Sequence, residues 1–189
     1  DRIVDDPEDG PFDAVGVDNT DPMADLVDHI VERGHRRIGL IAGKQGLQTA
    51  EERIAGFRLG LERHGLADQA DAVAYGADDT GAALDQLLAR DDAPTAVIMG
   101  NNQITIDAMR RLAERELRIP DDLSIACFDD FPWADLFHPR LTAIRQPVDA
   151  LGTKGVTMLF ERMATPGLAA RQVRLEPQLI VRDSVRPLS

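Results

Sequence analysis

The chain has 189 residues, of which 43% are hydrophobic and 4% aromatic, enough for one medium-sized domain or two small lobes with a core. It carries 21 lysine and arginine residues against 33 aspartate and glutamate residues, a formal net charge of −12. This acidity excludes a general binder of phosphate backbones or anionic lipid, so any contact with DNA must come from another segment.

Local features exclude further classes of protein. No apolar stretch approaches the roughly 20 residues that cross a bilayer, so we expect no membrane partner. Cys127 is the sole cysteine, which rules out an internal disulfide, and its apolar surroundings predict a buried side chain. Because the histidines lack metal-ligand spacing, we expect no metal or other cofactor and place each histidine at the surface or at a helix cap: His29, His35, His64 and His138.

Short apolar segments alternate with amphipathic helices along the chain. We predict strands at about 14–17, 37–42, 72–75, 95–100 and 123–128, with helices between them at about 22–33, 49–64, 80–90 and 102–118. A strand at 141–144, a helix at 148–163 and strands at 172–175 and 179–181 follow. The strands are apolar at nearly every position, as when helices cover both faces of a sheet. The pattern therefore predicts an α/β fold with a doubly wound parallel sheet.

The segment at 129–139 interrupts this alternation and holds three of the eight aromatic residues. A loop this apolar is expected to cover a ligand or a partner rather than to be solvated. We predict that Phe131 and Trp133 lie near a ligand, with a dimer interface as the alternative for this loop.

Polar residues cluster where the predicted strands end. Ligands of open parallel sheets bind beyond the carboxyl ends of the strands, so these residues are the first candidates for a site. Together they form a hydrogen-bonding set suited to a neutral polyol or a similar small polar molecule. In chain order they are Asp18, Asn19, Arg53, Asn101, Asn102, Asp129 and Asp130.

Arg53 is the most informative of these residues. The run Thr49-Ala-Glu-Glu52 fits a capping box, which places Arg53 in the first turns of a helix, where the helix dipole disfavours a cation. It either contacts a ligand or forms a surface salt bridge with a neighbouring carboxylate, and its position over the strand ends favours the ligand. Asn101 is similarly open to two roles, as a helix N-cap and as a ligand contact.

Catalysis is the weakest interpretation. Asp129 and Asp130 could be paired carboxylates, but adjacent residues need not face each other, and no activated nucleophile lies beside them. The Gly43–Gly46 loop lacks the pattern that cradles phosphates. We therefore expect that the protein is not an enzyme.

Several motifs follow one another along the chain: Asp18-Asn19, the run Gly34-His-Arg-Arg-Ile-Gly-Leu-Ile-Ala-Gly43, Glu52-Arg53 with Gly56-Phe57, Asn101, the segment 117–124, Phe128-Asp-Asp130, and Gln146-Pro147. In this order, and over almost the whole chain, they resemble the LacI/GalR-type bacterial transcriptional regulators.

The resemblance implies a two-lobed fold like that of periplasmic sugar-binding proteins of type I, of which this chain is the C-terminal lobe with part of the N-terminal lobe. Residues 1–17 would be a remnant of the N-terminal lobe, 18–143 the C-terminal lobe, 144–168 a crossover with a helix of the N-terminal lobe, and 169–189 closing strands of the C-terminal lobe. It also implies effector contacts from Arg53, Asn101 and Asp129, with Gln146 near the crossover and Asp1 at the edge of the cleft.

The implied function is effector binding and dimerisation in a cytoplasmic repressor whose operator DNA is bound by an N-terminal helix-turn-helix outside this chain. The sequence starts at Asp1 without an initiator methionine or a signal peptide, so we expect a piece of a longer protein. The alternative is a periplasmic or surface solute-binding protein of the same fold that serves a sugar transporter. The effector is expected to be sugar-like, although an aromatic residue that the family often places near 77–79 is absent.

Without most of its N-terminal lobe, the chain is expected to expose an apolar face of the helix at 148–163. We therefore expect the 189-residue chain to associate or to rearrange its packing.

Overall fold

The computed structural model of the chain describes residues 12–69, 72–132 and 134–188. Its strands are β1 (Ala14–Val17), β2 (Ile38–Ala42), β3 (Val73–Tyr75), β4 (Ala96–Met99), β5 (Ser124–Phe128), β6 (Thr142–Arg145), β7 (Gln172–Leu175) and β8 (Gln178–Ile180). Its helices are α1 (Thr20–Glu32), α2 (Gln48–Arg63), α3 (Thr80–Leu88), α4 (Asn102–Glu114) and α5 (Val148–Ala164).

The element boundaries follow the prediction closely, and the largest difference lies at the end of α4. This helix stops at Glu114 because Glu116 adopts the left-handed backbone, with φ 56°. The amide of Glu116 then donates to the carbonyl of Ala113, and that of Leu117 to Leu112, which closes the helix C-terminus. A helix end of this kind normally has glycine at this position, so the glutamate at 116 does not predict it.

The described strands form a large sheet of six strands in the order β3-β2-β4-β5-β6-β8. β3, β2, β4, β5 and β6 are parallel, and β8 is an antiparallel edge strand beside β6. The polypeptide adds β3 on one side of β2 and then returns to add β4, β5 and β6 on the other side. Because the direction reverses in this way, the connecting helices cover both faces of the sheet. The predicted doubly wound α/β fold is confirmed.

Two apolar cores flank this sheet. On one face, α1 and α2 pack on the sheet through side chains such as Leu26, Ile54 and Phe57. On the other, α3 and α4 contribute Leu84 and Leu112, among others. Cys127 lies in this second core, fully buried as predicted, and burial raises the pKa of its thiol to about 12.

A small parallel sheet pairs β1 with β7, in the register Ala14 with Gln172 to Val17 with Leu175. Asp13 anchors its start, since its carboxylate accepts hydrogen bonds from Arg162 of α5 and from Arg171 beside β7. The expectation that residues 169–189 all close the C-terminal lobe is wrong for β7, because β7 pairs with β1 and β8 alone joins the large sheet.

Helix α5 packs on the small sheet and exposes much of its apolar surface. Met158 is the buried residue of α5, whereas five of its large apolar side chains are more than half exposed: Val148, Val156, Leu159, Phe160 and Met163. This is the apolar face that the sequence predicted. None of the helices in the described residues is long and apolar enough to cross a membrane.

Within the described residues, the chain crosses between the two sheets three times. It passes from β1 to α1 at Asp18–Asn19, from β6 to α5 at Gln146–Pro147, and from β7 to β8 at Glu176–Pro177. The polar residues of the candidate site lie close to these crossings.

Helices α1 and α2 make an unusually close contact at two glycines of α2. A Cβ on Gly56 would lie 2.2 Å from the carbonyl oxygen of Thr20, and a Cβ on Gly60 would lie 2.6 Å from Cβ of Val27. Real Cβ atoms do not approach other atoms this closely. The spacing of the two glycines therefore lets the start of α1 lie directly against α2.

The histidines do not all follow the prediction. His35 is fully buried: its Nδ1 lies 2.8 Å from Oγ1 of Thr95 and its Nε2 lies 3.0 Å from the carbonyl oxygen of Arg186. The expectation of a surface or capping role is therefore wrong for His35, which connects the residues just before β2 and β4 to the C-terminal segment.

Candidate functional site

The candidate site lies at the carboxyl ends of β2 and β4. The connection from β2 leads to β3 on one side, and the chain returns to β4 on the other, so a crevice opens between the two strand ends. Gly100 permits this close approach, since a Cβ there would lie 2.8 Å from the carbonyl oxygen of Ile41. Side chains that follow the strands converge at this crevice.

Arg53 is the buried cation of the site, with 6% of its surface exposed. Its Nε donates to Oδ1 of Asn19 at 2.9 Å, and its Nη1 donates to the carbonyl oxygen of Gly100 at 2.6 Å. The guanidinium also lies over the ring of Phe128, 3.9 Å from the ring centre. Burial lowers the pKa of Arg53, and the negative charges of Asp129 and Glu52 act in the opposite direction.

These contacts correct two expectations. Arg53 does not form a surface salt bridge, because its side chain is buried, and Oδ2 of Asp129 lies 3.8 Å from its Nη1 inside the crevice. The capping box is also wrong: Leu47 is the N-cap of α2 and has no side-chain cap bond. Glu52 instead accepts hydrogen bonds from Asn19 and Arg174.

Asp129 faces Arg53 across the crevice, and 17% of its side chain is exposed. Its Oδ1 accepts a hydrogen bond from Nε2 of Gln146, a residue of the second crossing. Its backbone amide donates to the carbonyl oxygen of Ile144 at 3.1 Å, and its φ is 85°. Asp129 therefore connects β5, the second crossing and Arg53 at one point.

Asp130 points away from this crevice and is paired elsewhere. Its side chain is 3% exposed and forms salt bridges with Arg145 and Arg182. Burial opposes its ionisation, but the hydrogen bonds from these two arginines hold the pKa of the Asp130 carboxyl below its ordinary value. The two adjacent carboxylates therefore do not form a pair that could act together on a substrate.

Asn101 caps α4, since its Oδ1 accepts the backbone amide of Ile104 at 3.0 Å. The capping role that the sequence suggested is confirmed. The residue also stands at the crevice, because it directly follows Gly100 and its Nδ2 lies next to Gly43. A ligand contact by Asn101 stays a prediction.

The aromatic loop contributes mainly to the core in its described part. Phe131 is 7% exposed, belongs to the core on the α3 and α4 face, and stacks edge-to-face on Phe137. Its contact with a ligand stays a prediction. Trp133 and Asp1 lie outside the described residues.

Sequence reasoning missed three contributors to the site. The sequence predicts that Phe128 is part of a buried strand, but as the last residue of that strand it lies where a ring can face the crevice. The sequence also places Glu52 in a capping box, and Arg174 belongs to none of the motifs. The alternation of polar and apolar residues in Gln172-Val-Arg-Leu175 places Arg174 on the face opposite Val173, which was the available signal.

Among residues 12–69, 72–132 and 134–188, no group of three or more histidine, cysteine or carboxylate side chains could hold a metal ion. What the crevice offers instead is a fixed cation, a part-exposed carboxylate and side-chain amides. These groups bind small polar molecules through hydrogen bonds.

The chain is similar to known proteins in sequence and in fold. Residues 27–185 match the model of the periplasmic binding protein-like domain. The HTH-type transcriptional repressor PurR of Pasteurella multocida is 33% identical over 161 residues, which cover 84% of this chain and 48% of the repressor.

Two solved structures share the fold. The complex of the transcriptional regulator CelR with cellobiose superposes with a TM-score of 0.87 at 30% identity, over 97% of this chain and 57% of that one. A LacI family transcriptional regulator from Enterococcus faecium with bound ribose superposes with a TM-score of 0.87 at 26% identity, over 96% of this chain and 68% of that one. The chain spans about half the length of the repressor that it matches.

Proposed function

Since the chain belongs to the periplasmic binding protein-like domain family, in the form found in LacI-type transcriptional regulators, we propose that it binds a small polar effector at the crevice between Arg53 and Asp129. Effector binding would control operator DNA binding by a helix-turn-helix outside this chain. The observation that carries the proposal is the buried Arg53 facing a part-exposed carboxylate at the ends of β2 and β4.

The chemistry of the crevice favours a ligand rich in hydroxyl groups. The Asp129 carboxylate accepts hydrogen bonds, and part of it is exposed toward the crevice. The guanidinium of Arg53 is a planar donor, and Asn101 offers an amide. The names of two structural relatives state that they hold cellobiose and ribose. A sugar or a similar polyol fits this set of groups.

The loop at 77–79, just before α3, narrows the class of ligand further. The residues there are Ala77, Asp78 and Asp79, and Asp79 is engaged as the cap of α3 through the amide of Ala82. An aromatic platform on which the apolar face of a hexose could stack is absent from this part of the sequence. The proposal therefore favours a ligand recognised by its polar groups.

The three crossings between the sheets support an allosteric role. Asn19 and Gln146 lie in two of these crossings, and they bond to Arg53 and Asp129. An effector that draws these side chains together has a different affinity for each arrangement of the sheets, which is what linkage to a second site requires. We propose that the protein acts as a homodimer in the cytoplasm, where the operator DNA lies.

Isothermal titration of the intact protein with D-ribose and D-cellobiose tests the proposal. We expect binding of at least one of them, weakened at least tenfold, about 1.4 kcal/mol, by Arg53→Ala and by Asp129→Ala. Arg110→Ala and Asp107→Ala are matched controls, because they remove an exposed ion pair on α4. Unchanged affinity in both site variants would remove Arg53 and Asp129 from the site.

The coding sequence upstream of Asp1 tests the regulatory half of the proposal. A helix-turn-helix there agrees with control of an operator, and an operator fragment then reports whether the sugar alters DNA affinity. A signal peptide there would refute the regulator and indicate a solute receptor of the same fold.

A further inference from the structure

A chain of hydrogen bonds leads from the effector arginine to the small sheet. Arg53 Nε donates to Oδ1 of Asn19 at 2.9 Å, and Nδ2 of Asn19 donates to Oε2 of Glu52 at 2.7 Å. Arg174 of β7 grips the same carboxylate, with Nη2 to Oε1 at 2.8 Å and Nη1 to Oε2 at 3.0 Å. Four side chains thus connect α2, the first crossing and β7.

The Glu52 carboxylate determines which end of the Asn19 amide donates and which end accepts in these hydrogen bonds. An asparagine amide has one donor end and one acceptor end of nearly equal size, so its neighbours decide which end faces which way. A carboxylate can only accept, so Glu52 draws Nδ2 of Asn19 toward itself, an orientation to which the carbonyl oxygen of Val17 also contributes at 3.3 Å. Oδ1 of Asn19 is then left to accept from Arg53.

Arg174 holds Glu52 in place from the other sheet. Both of its terminal nitrogens bond to the carboxylate, and Nη1 also donates to the carbonyl oxygen of Val17 at 3.1 Å. The side chain of Asn19 is nearly fully buried, whereas Glu52 and Arg174 are 21% and 36% exposed. The Glu52–Arg174 ion pair is therefore accessible to water, whereas the hydrogen bond between Asn19 and Arg53 is buried.

We propose that the Glu52–Arg174 pair is a latch between the small and large sheets that orients Asn19 and, through it, Arg53. Glu52 and Arg174 are positioning residues, since they act on the effector through Asn19. When β7 moves away from α2, Glu52 loses Arg174 and is no longer held against Asn19. The amide of Asn19 can then turn, and Arg53 loses its Nε acceptor. The arrangement of the two sheets and the orientation of the binding cation are linked in this way.

This inference deepens the proposed effector site and rests on it for its role, but the latch itself can be read without any ligand. The signal is the Nε–H resonance of Arg53 in a nitrogen–proton spectrum of the intact protein, assigned by its disappearance in Arg53→Lys. Its exchange rate with solvent reports the hydrogen bond to Asn19 directly.

Glu52→Gln is the decisive variant, since it keeps the size of the side chain and adds a donor where the acceptor stood. We expect exchange of the Arg53 Nε–H to accelerate on the order of tenfold in Glu52→Gln and by a smaller factor in Arg174→Gln. Glu52→Asp keeps the carboxylate and should recover part of the protection. Glu161→Gln is the control, because it breaks the ion pair with Arg171 beside the same small sheet.

An Arg53 signal that is unchanged in both Glu52→Gln and Arg174→Gln would overturn the latch, since Asn19 would then hold Arg53 by itself. Equal acceleration in Glu161→Gln would also overturn it, because the effect would then be a general loosening of the small sheet. If Glu52→Gln fails to fold, the more exposed Arg174→Gln decides the question alone. Failure of sugar titration with these results intact would refute the proposed ligand and leave the latch standing.

Discussion

Replacing Gly56 by alanine adds one methyl group where α1 and α2 approach most closely. The new Cβ would lie 2.2 Å from the carbonyl oxygen of Thr20, 3.0 Å from its carbonyl carbon and 2.9 Å from Cβ of Met23. Two of these atoms belong to the backbone, so no side-chain rotation can relieve the overlap. The helices must separate, and the start of α1 must move away from α2.

The magnitude follows from two opposing effects. Overpacking a close contact costs about 3 kcal/mol at the upper end of its usual range, and alanine gains about 1 kcal/mol over glycine within a helix. We expect Gly56→Ala to lose about 2 kcal/mol of the free energy of unfolding. With an m-value of about 2 kcal/mol per molar urea, the unfolding midpoint falls by about 1 M.

Urea unfolding followed by circular dichroism measures this change, and the chain provides a matched control. Gly152 also lies within a helix, α5, but a Cβ there would meet nothing within 4 Å. Gly152→Ala should therefore gain up to about 1 kcal/mol. Glycine to alanine is thus expected to lower the free energy of unfolding at position 56 and to raise it at position 152. The comparison separates the effect of packing from that of helix propensity.

A Gly56→Ala variant as stable as Gly152→Ala would refute the reasoning, because the two helices would then have room for the methyl group. The variant also tests the site. Asn19 precedes α1, so separation of the helices should loosen its bond to Arg53 and weaken effector affinity. Lost stability with unchanged sugar affinity would show that the close helix contact does not position Asn19.

Two further predictions concern stability in acid and association. Burial lowers the pKa of His35 from 6.5, and the positive charge of Arg186 lowers it as well, whereas the hydrogen bond to the backbone of Arg186 acts in the opposite direction. Below pH 6.5 the unfolded chain therefore binds more protons than the folded chain, and the free energy of unfolding decreases as the pH falls. Carboxylates such as Asp130 lower the stability only at more acidic pH. Between pH 7 and 5, the urea midpoint should fall less in His35→Gln than in the exposed control His138→Gln. The apolar face of α5 predicts that the 189-residue chain associates, and light scattering should show a monomer only when Leu159 and Phe160 are replaced by glutamate.

The fold could be predicted from the sequence because its pattern is local and regular. The buried strand Ile38–Ala42 is apolar at every position, and β1, β2, β3, β4 and β6 are each followed by a helix with an apolar face. The pairing of β7 with β1 could not be predicted, because 172–175 and 179–181 are both short and a proline lies between them. Which sheet each strand joins depends on contacts made far along the chain.

The candidate site was predicted in its main residues and missed in its connections. Arg53, Asn101 and Asp129 follow from the rule that ligands bind at strand ends, since each lies one step beyond a strand or over its end. The roles of Glu52 and Arg174 depend on two side chains that are far apart in sequence meeting between the sheets. Local sequence spacing does not predict such a contact. The spacing of Thr49 and Glu52 instead predicts a capping box, which the structure does not contain.

The backbone of Asp129 limits how this site can change in evolution. At a φ of 85°, side chains branched at Cβ or bulky ones are strained, whereas glycine, asparagine and aspartate are tolerated. The carboxylate can therefore be exchanged for an amide, or removed by glycine, without disturbing the turn after β5. Lys44 and Asp78, exposed residues that follow β2 and β3, have no such backbone restriction and can accept larger side chains. The backbone after β5 thus restricts this position to small or amide-type side chains, whatever effector the crevice binds.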